Sequence, residues 1–253
     1  NLQAQQFDNA LKGANLLSEL YPDEAEVYNL KAGILIRQGQ LEEAKTNIEK
    51  ALAQNPTLFP AKFNLAATES RLGNVETSNQ LIEELLTFSP QHNETLMLKA
   101  FNLTKAGKVD EAKQIYLDLL TLTPSNSGAR ERVSSLYQQQ GDIKNALYHL
   151  DLLIKDDFDN ADYLLRKAAL QLGNNQRADA EKTLSIVRNF INDDAGKLIA
   201  YADQARNIGD SEGALNAMAR AHDIANTSTF VTLRYTSLLL DLQKNDKAQS
   251  LLA

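Results

Sequence analysis

The sequence contains no cysteine. Disulfides, thiolate metal sites and a cysteine nucleophile are therefore excluded, while the redox compartment stays unread, because a cysteine-free chain suits either side of a membrane. Proline and glycine are scarce, at 5 and 11 in 253 residues, and 43% of residues are hydrophobic. That balance excludes a disordered chain and describes an ordered, soluble protein of one large or two ordinary domains. No apolar run approaches the roughly 18 residues that a spanning helix needs. Cations are outnumbered, 26 against 33 acidic residues, for a net charge of −7 and a pI near 5.1. Nonspecific nucleic-acid binding, which relies on a basic surface to displace counterions, is not expected. The chain starts at Asn1 without a signal segment, an absence of little weight because the register below places that residue within a repeat.

What the sequence does have is a period of 34 residues. The stretch RQGQLEEA at Arg37 returns as RLGNVETS at Arg71, KAGKVDEA at Lys105, QQGDIKNA at Gln139 and NIGDSEGA at Asn207. One column reads Ala10, Ala44, Ser78, Ala112, Ala146, Ala180, Ala214 and Ala248, all small. Five residues earlier stand Gln5, Gly39, Gly73, Gly107, Gly141, Asn175, Gly209 and Gln243. Gly or Asn lets a helix end in the left-handed conformation at little cost, so this column marks a helix stop. A third column, Pro22, Pro56, Pro90 and Pro124, then Phe158, Asn192 and Asn226, is a second stop. Between stops lie segments with helical apolar spacing, such as AEVYNLKAGILIRQ and LEEAKTNIEKALAQ. Each period is thus a helix, a tight turn and a second helix. Small residues on the first helices (Ala32, Ala66, Ala100, Ser134, Ala168, Ala202, Thr236) permit close approach. Larger ones on the second (Ile48, Ile82, Tyr116, Leu150, Leu184, Met218, Leu252) fill the space between neighbours. The expected fold is all-α, a one-dimensional array stabilised by interfaces between adjacent hairpins.

The period, the small residues at Ala32 and Ala44, the turn at Gly39, Tyr28, Ile48, Ala51 and the closing Pro56 together resemble the tetratricopeptide repeat. The resemblance spans the whole chain: a single solenoid of complete repeats at 25–58, 59–92, 93–126, 127–160, 161–194 and 195–228, with partial ones at 1–24 and 229–253. It implies a right-handed α-α superhelix whose inner surface is lined by the first helix of each pair. Lys62 and Arg130 replace an expected bulky residue, and the repeat from Ala161 lacks both the turn glycine and the closing proline. The register opens within a first helix and ends at Ala253 within a second, without a polar capping helix. A piece of a longer protein is expected, or one whose uncapped ends meet a partner, including another copy.

Catalytic residues, cofactor sites and metal sites are not expected. His92, His149 and His222 lack metal-ligand spacing and are expected at surfaces or interfaces. No phosphate-binding glycine loop, dinucleotide fingerprint, nucleophile elbow or HExxH motif occurs. Acidic residues, as in DEAE and LEEA, gather at helix starts, where they complement the dipole.

Binding residues are expected on the first helices. The thirteenth position of the repeat gives Arg37, Arg71 and Lys105, a positive row about 10 Å apart, with Arg132, Arg166 and Arg206 in later repeats. Such a row suits carboxylates, phosphates or an acidic polymer, although the helix dipole alone also favours cations there. The same face carries Phe63, Met97, Phe101, Leu165 and Ile199 between Asn29, Asn64 and Gln138. These suit an extended peptide or amphipathic helix, or simple packing between adjacent first helices. The family's chaperone-carboxylate clamp is not reproduced: of its positions, Asn29, Gly33, Asn64, Glu94 and Leu98, only the central Asn64 matches. The resemblance implies a noncatalytic scaffold for a protein or peptide partner, closest in style to bacterial exopolysaccharide-export and PEP-CTERM proteins of the periplasm or envelope. Its alternatives are the substrate-recruiting arm of an enzyme such as a glycosyltransferase, and an anionic-glycan binder.

Overall fold

The computed structural model describes residues 2–252, with side chains described from residue 6 onward. Asn1 and Ala253, the positions expected to open and close the array, lie outside the described residues. Fifteen helices and no strand occur among the described residues, the all-α repeat class expected. The chain divides into two compact units, 1–129 and 130–253.

The first unit holds α1 (Leu2–Leu20), α2 (Ala25–Gln38), α3 (Leu41–Gln54), α4 (Phe59–Leu72), α5 (Val75–Phe88), α6 (Asn93–Lys105), α7 (Val109–Leu122) and the start of α8 (Ser127–Gln139). The second holds the rest of α8, then α9 (Ile143–Asp156), α10 (Ala161–Gly173), α11 (Arg177–Phe190), α12 (Ala195–Asn207), α13 (Ser211–Ile224), α14 (Thr229–Asp241) and α15 (Asn245–Leu252). From α2 onward, even-numbered helices are first helices and odd-numbered ones second helices.

The turn column acts as its composition dictates. Gly39 takes φ +79°, with Gln40 N–H bonded to Leu35 C=O and Gly39 N–H to Ile36 C=O, the Schellman arrangement. Asn175 and Gln243 adopt the same left-handed conformation, at φ +59° and +57°. For Gln243 a Cβ makes this costly, by roughly 1–2 kcal/mol. Replacing Gln243 with glycine is therefore expected to stabilise the second unit by about 1 kcal/mol, visible as a raised melting midpoint. Gln5 departs from expectation: α1 passes through it without a stop. It lies in LQAQQF, an unbroken run of helix-compatible residues with no glycine, asparagine or proline to end the helix.

The small columns are the close contacts. Ala44, Ala112, Ala146, Ala180 and Ala214 have no exposed surface, and where serine replaces alanine its hydroxyl finds a carbonyl across the hairpin. Ser78 Oγ donates to Ala66 C=O at 2.8 Å and Ser134 Oγ to Ala146 C=O at 2.9 Å. The larger column fills each hairpin interface, Ile48, Ile82, Tyr116, Leu150, Leu184 and Met218 all being buried. Ala10 and Leu252 are exposed instead. The first unit also encloses polar groups. Glu69 is buried against Lys45 Nζ at 2.8 Å and Asn74 Nδ2 at 2.6 Å. Burial opposes its ionisation, but the Lys45 and Asn74 hydrogen bonds and the Lys45 charge outweigh it and hold the carboxyl below its usual range. Asn102 receives Ser70 Oγ–H at 2.5 Å and donates to Ser78 Oγ and Asn79 Oδ1, both at 2.9 Å.

Candidate functional site

On the first-helix side of the first unit, α1, α2 and α4 enclose a cleft of about 580 Å³. Its apolar wall is Phe7, Leu30, Ile34 and Ile36, with Gly33 and Ala10 leaving open space between them. Leu30 is 51% exposed and so presents apolar surface to the cleft. Its polar side is Asn29, Asn64, Arg37 and Arg71. Asn64 Nδ2 donates to Asn29 Oδ1 at 2.8 Å. That single bond leaves the Asn29 side-chain amide hydrogens and Asn64 Oδ1 without partners among the described residues, a donor and an acceptor side by side. Arg37 and Arg71 sit in the last turns of α2 and α4, are exposed, and make no hydrogen bond or ion pair among the described residues.

The third member of the expected row behaves differently. Lys105 Nζ bends back to the Ser70 carbonyl at 3.0 Å, at the C-terminal end of α4, and lies 5.6 Å from the centre of the Phe101 ring. Here the attraction of a cation for a helix end is satisfied within the fold. The expected apolar row is largely packing. Phe63 packs on the Ala66, Ile82 and Leu85 cluster and meets His92 edge-on at 5.9 Å, and Met97 and Phe101 are half-buried.

In the second unit the first helices are bonded to one another. Arg206 pairs with Asp241 at 2.8 Å, Lys197 with Asp162 at 2.8 Å, and Arg234 with Asp203. Arg166 reaches Ser134 Oγ at 3.2 Å and Gln138 Oε1 at 3.4 Å, and burial lowers its pKa against the opposing charge of Glu131. Tyr163 donates to Glu131, which, with burial, pushes the phenol up to about 12. Leu165 is buried and Ile199 packs on the core; Arg132 is exposed. Most cations expected on this face are thus already engaged with neighbouring helices.

His149 is buried at the interface of α8 and α9. Its ring stacks on Tyr137 at 5.7 Å and meets Tyr148 edge-on at 5.2 Å, while Nδ1 is buried without a hydrogen-bond partner. Burial, then the charge of Arg130, lowers its pKa from the usual 6.5. The unfolded chain therefore takes up this proton first on acidification. Stability of the second unit is expected to be full above about pH 7 and to fall as the pH drops through the unfolded value towards the lower folded one. Melting curves from pH 7.5 to 5 check this, and His149→Phe is expected to flatten the slope. His92 caps α6 by accepting from Thr95 N–H, and the His222 ring lies 5.8 Å from that of Tyr235. No group of three or more metal-ligating side chains occurs, and no helix is long and apolar enough to cross a membrane, among the described residues.

Comparison with known proteins fits this geometry. Residues 25–58, the α2–α3 hairpin with its closing turn, match the family model for the tetratricopeptide repeat. That hairpin is similar to a tetratricopeptide repeat. Solved structures extend the tetratricopeptide-repeat fold over the chain. A tetratricopeptide repeat protein from Parabacteroides merdae aligns with a TM-score of 0.65 at 16% identity, covering 94% of both chains. PilF of Pseudomonas aeruginosa aligns with a TM-score of 0.65 at 17% identity, covering 86% of this chain and 97% of its own. YrrB, described as a tetratricopeptide-repeat protein with an unusual peptide-binding site, gives 0.52 at 15% identity over 80% of this chain and 99% of its own. Identities this low speak for the fold alone. No curated protein matches the sequence. The tetratricopeptide-repeat fold is typical of scaffolds for protein–protein interaction, and such scaffolds are generally noncatalytic.

Proposed function

We propose that the chain is a noncatalytic scaffold that holds a peptide segment of a protein partner in the first-helix cleft of its first unit. The observation that carries this reading is the contrast within one repeat pattern. Arg37 and Arg71 stand unpaired among the described residues, beside an apolar wall and an asparagine pair with one donor and one acceptor to spare, whereas Arg206 and Arg234 of the second unit are already paired. Unpaired guanidiniums favour carboxylates, the apolar wall favours a leucine-like side chain, and the asparagine pair suits the N–H and C=O of one extended peptide unit. The favoured segment is therefore acidic and apolar in close alternation. YrrB, whose fold is similar, carries a peptide-binding site, which supports the same use here.

Selection from a random peptide library on the immobilised chain tests the reading. Enrichment of sequences that place Asp or Glu next to Leu, Ile or Phe is expected. Recovery of no peptides, or of peptides without acidic residues, would count against it. Roles in exopolysaccharide export, as an enzyme's recruiting arm or in glycan binding have no separate observation in their favour.

A further inference from the structure

A second cleft, of about 300 Å³, lies in the second unit between α11 and α13, with α12 as its floor. It exists because one repeat interface breaks the pattern. The position filled by Leu52, Leu86, Leu120 and Ile154 in the four preceding complete repeats is Arg188 here. The α13 position equivalent to Glu43, Glu111 and Asp179 is Gly213.

These two departures depend on one another. Arg188 Nε donates to Tyr201 Oη at 3.0 Å and its Nη2 to Asp210 Oδ2 at 2.5 Å. Asp210 Oδ1 in turn accepts from Gly213 N–H at 2.9 Å, capping α13. A Cβ at residue 213 would stand 2.2 Å from Asp210 Oδ2, so only glycine leaves the carboxylate where it can hold Arg188. Across the cleft, Arg220 Nη2 is fixed by Asp193 Oδ1 at 2.6 Å. Two guanidiniums, 60% and 47% exposed and with most of their donors uncommitted, are thereby each tethered at the rim of the cleft by one ion pair and left open to a ligand.

The remaining lining decides the ligand. Asp210 is committed to Arg188 and to its helix, but Glu212 lines the same cleft with no hydrogen-bond or ion-pair partner among the described residues. The apolar lining is Leu198 on α12, Ile191 just after α11 and Ala217 on α13. A net anion meets Glu212 and Asp210, a net cation meets two guanidiniums, and only a zwitterion satisfies both sets. The volume is at the small end of ligand pockets. We propose that this cleft binds a free α-amino acid with an apolar side chain, its carboxylate on Arg188 and Arg220, its ammonium on Glu212 and its side chain on Leu198 and Ala217.

Titration calorimetry of the whole chain with L-leucine, 4-methylpentanoate and L-leucinamide tests this, with the Gly213 amide resonance as a local reporter. Saturable leucine binding that moves the Gly213 resonance is expected. The analogues lacking the ammonium or the carboxylate should bind at least about tenfold more weakly. Glu212 is exposed and unpaired among the described residues, so Glu212→Gln keeps the fold, and it should bring leucine down to the affinity of 4-methylpentanoate. Absence of saturable leucine binding, equal binding of leucine and 4-methylpentanoate, or unchanged selectivity in Glu212→Gln would each overturn the proposal.

Discussion

Reversing both charges of the open cleft, Arg37→Glu with Arg71→Glu, is expected to weaken binding of a selected acidic peptide roughly 10- to 100-fold while lowering the melting midpoint only slightly. The size follows from exposure. Each guanidinium is solvent-exposed, so one ion pair with a ligand carboxylate contributes no more than about 1 kcal/mol, and reversal replaces two attractions by two repulsions. The fold should respond only through the helix dipole, by roughly 0.3–1 kcal/mol per site, because both arginines stand in last turns and neither makes a hydrogen bond or ion pair among the described residues. Fluorescence anisotropy at low and high salt checks the effect, since the wild-type advantage should shrink as ions screen the contact. Arg206→Glu is the matched control. Arg206 is already held by Asp241, so its reversal removes an internal pair rather than a free binding group and should leave peptide affinity unchanged.

Leu150→Ala is expected to destabilise the second unit by about 2–5 kcal/mol. Leu150 has no exposed surface and packs with Ala146, Leu153 and Leu170, where α9 meets α10. Truncation removes its transfer free energy and leaves a cavity between two helices whose spacing is fixed by other small residues, such as Ala146 and Ala168, so collapse is limited. In a stacked array the loss falls on a nearest-neighbour interface, and faster amide exchange should appear first in α9 and α10. Leu150→Met, which nearly conserves volume, should cost less than about 1.5 kcal/mol. Denaturant unfolding of the two variants separates a packing effect from a general intolerance of substitution.

The architecture was legible because its determinants are single residues at fixed offsets. Gly39 must turn left-handed and Ala44 must admit a neighbouring helix, and neither requirement depends on distant sequence. The left-handed Gln243 and the helical Gln5 show the limit: the same residue type at equivalent positions takes opposite conformations, according to what its surroundings enforce. The site was less legible. Asn29, Asn64, Arg37 and Arg71 do come together, but Phe63 and Leu165 point to core packing, and Lys105 and Arg206 are engaged internally. Position in the repeat says which face a cation occupies, not whether an aspartate one helix away will claim it. Glu69 and Arg188 were overlooked although a signal existed, since each interrupts an otherwise mainly apolar column, Leu35, Leu103 and Leu239 for the first and Leu52, Leu86 and Leu120 for the second. A charge in a core column has to be solvated by the protein, as Glu69 is by Lys45 and Asn74, whereas Arg188 stands in a half-buried column, keeps 60% of its side chain exposed and is tied to Tyr201 and Asp210.

Amide chemical-shift mapping with one selected peptide tests the proposed use of the first unit most directly. Binding in the cleft requires the largest changes at Asn29, Gly33, Arg37, Asn64 and Arg71, with the side-chain amides of both asparagines shifted as their spare donor and acceptor are taken up. Changes centred instead on the first helices of the second unit, or on the second helices α3 and α5, would contradict it.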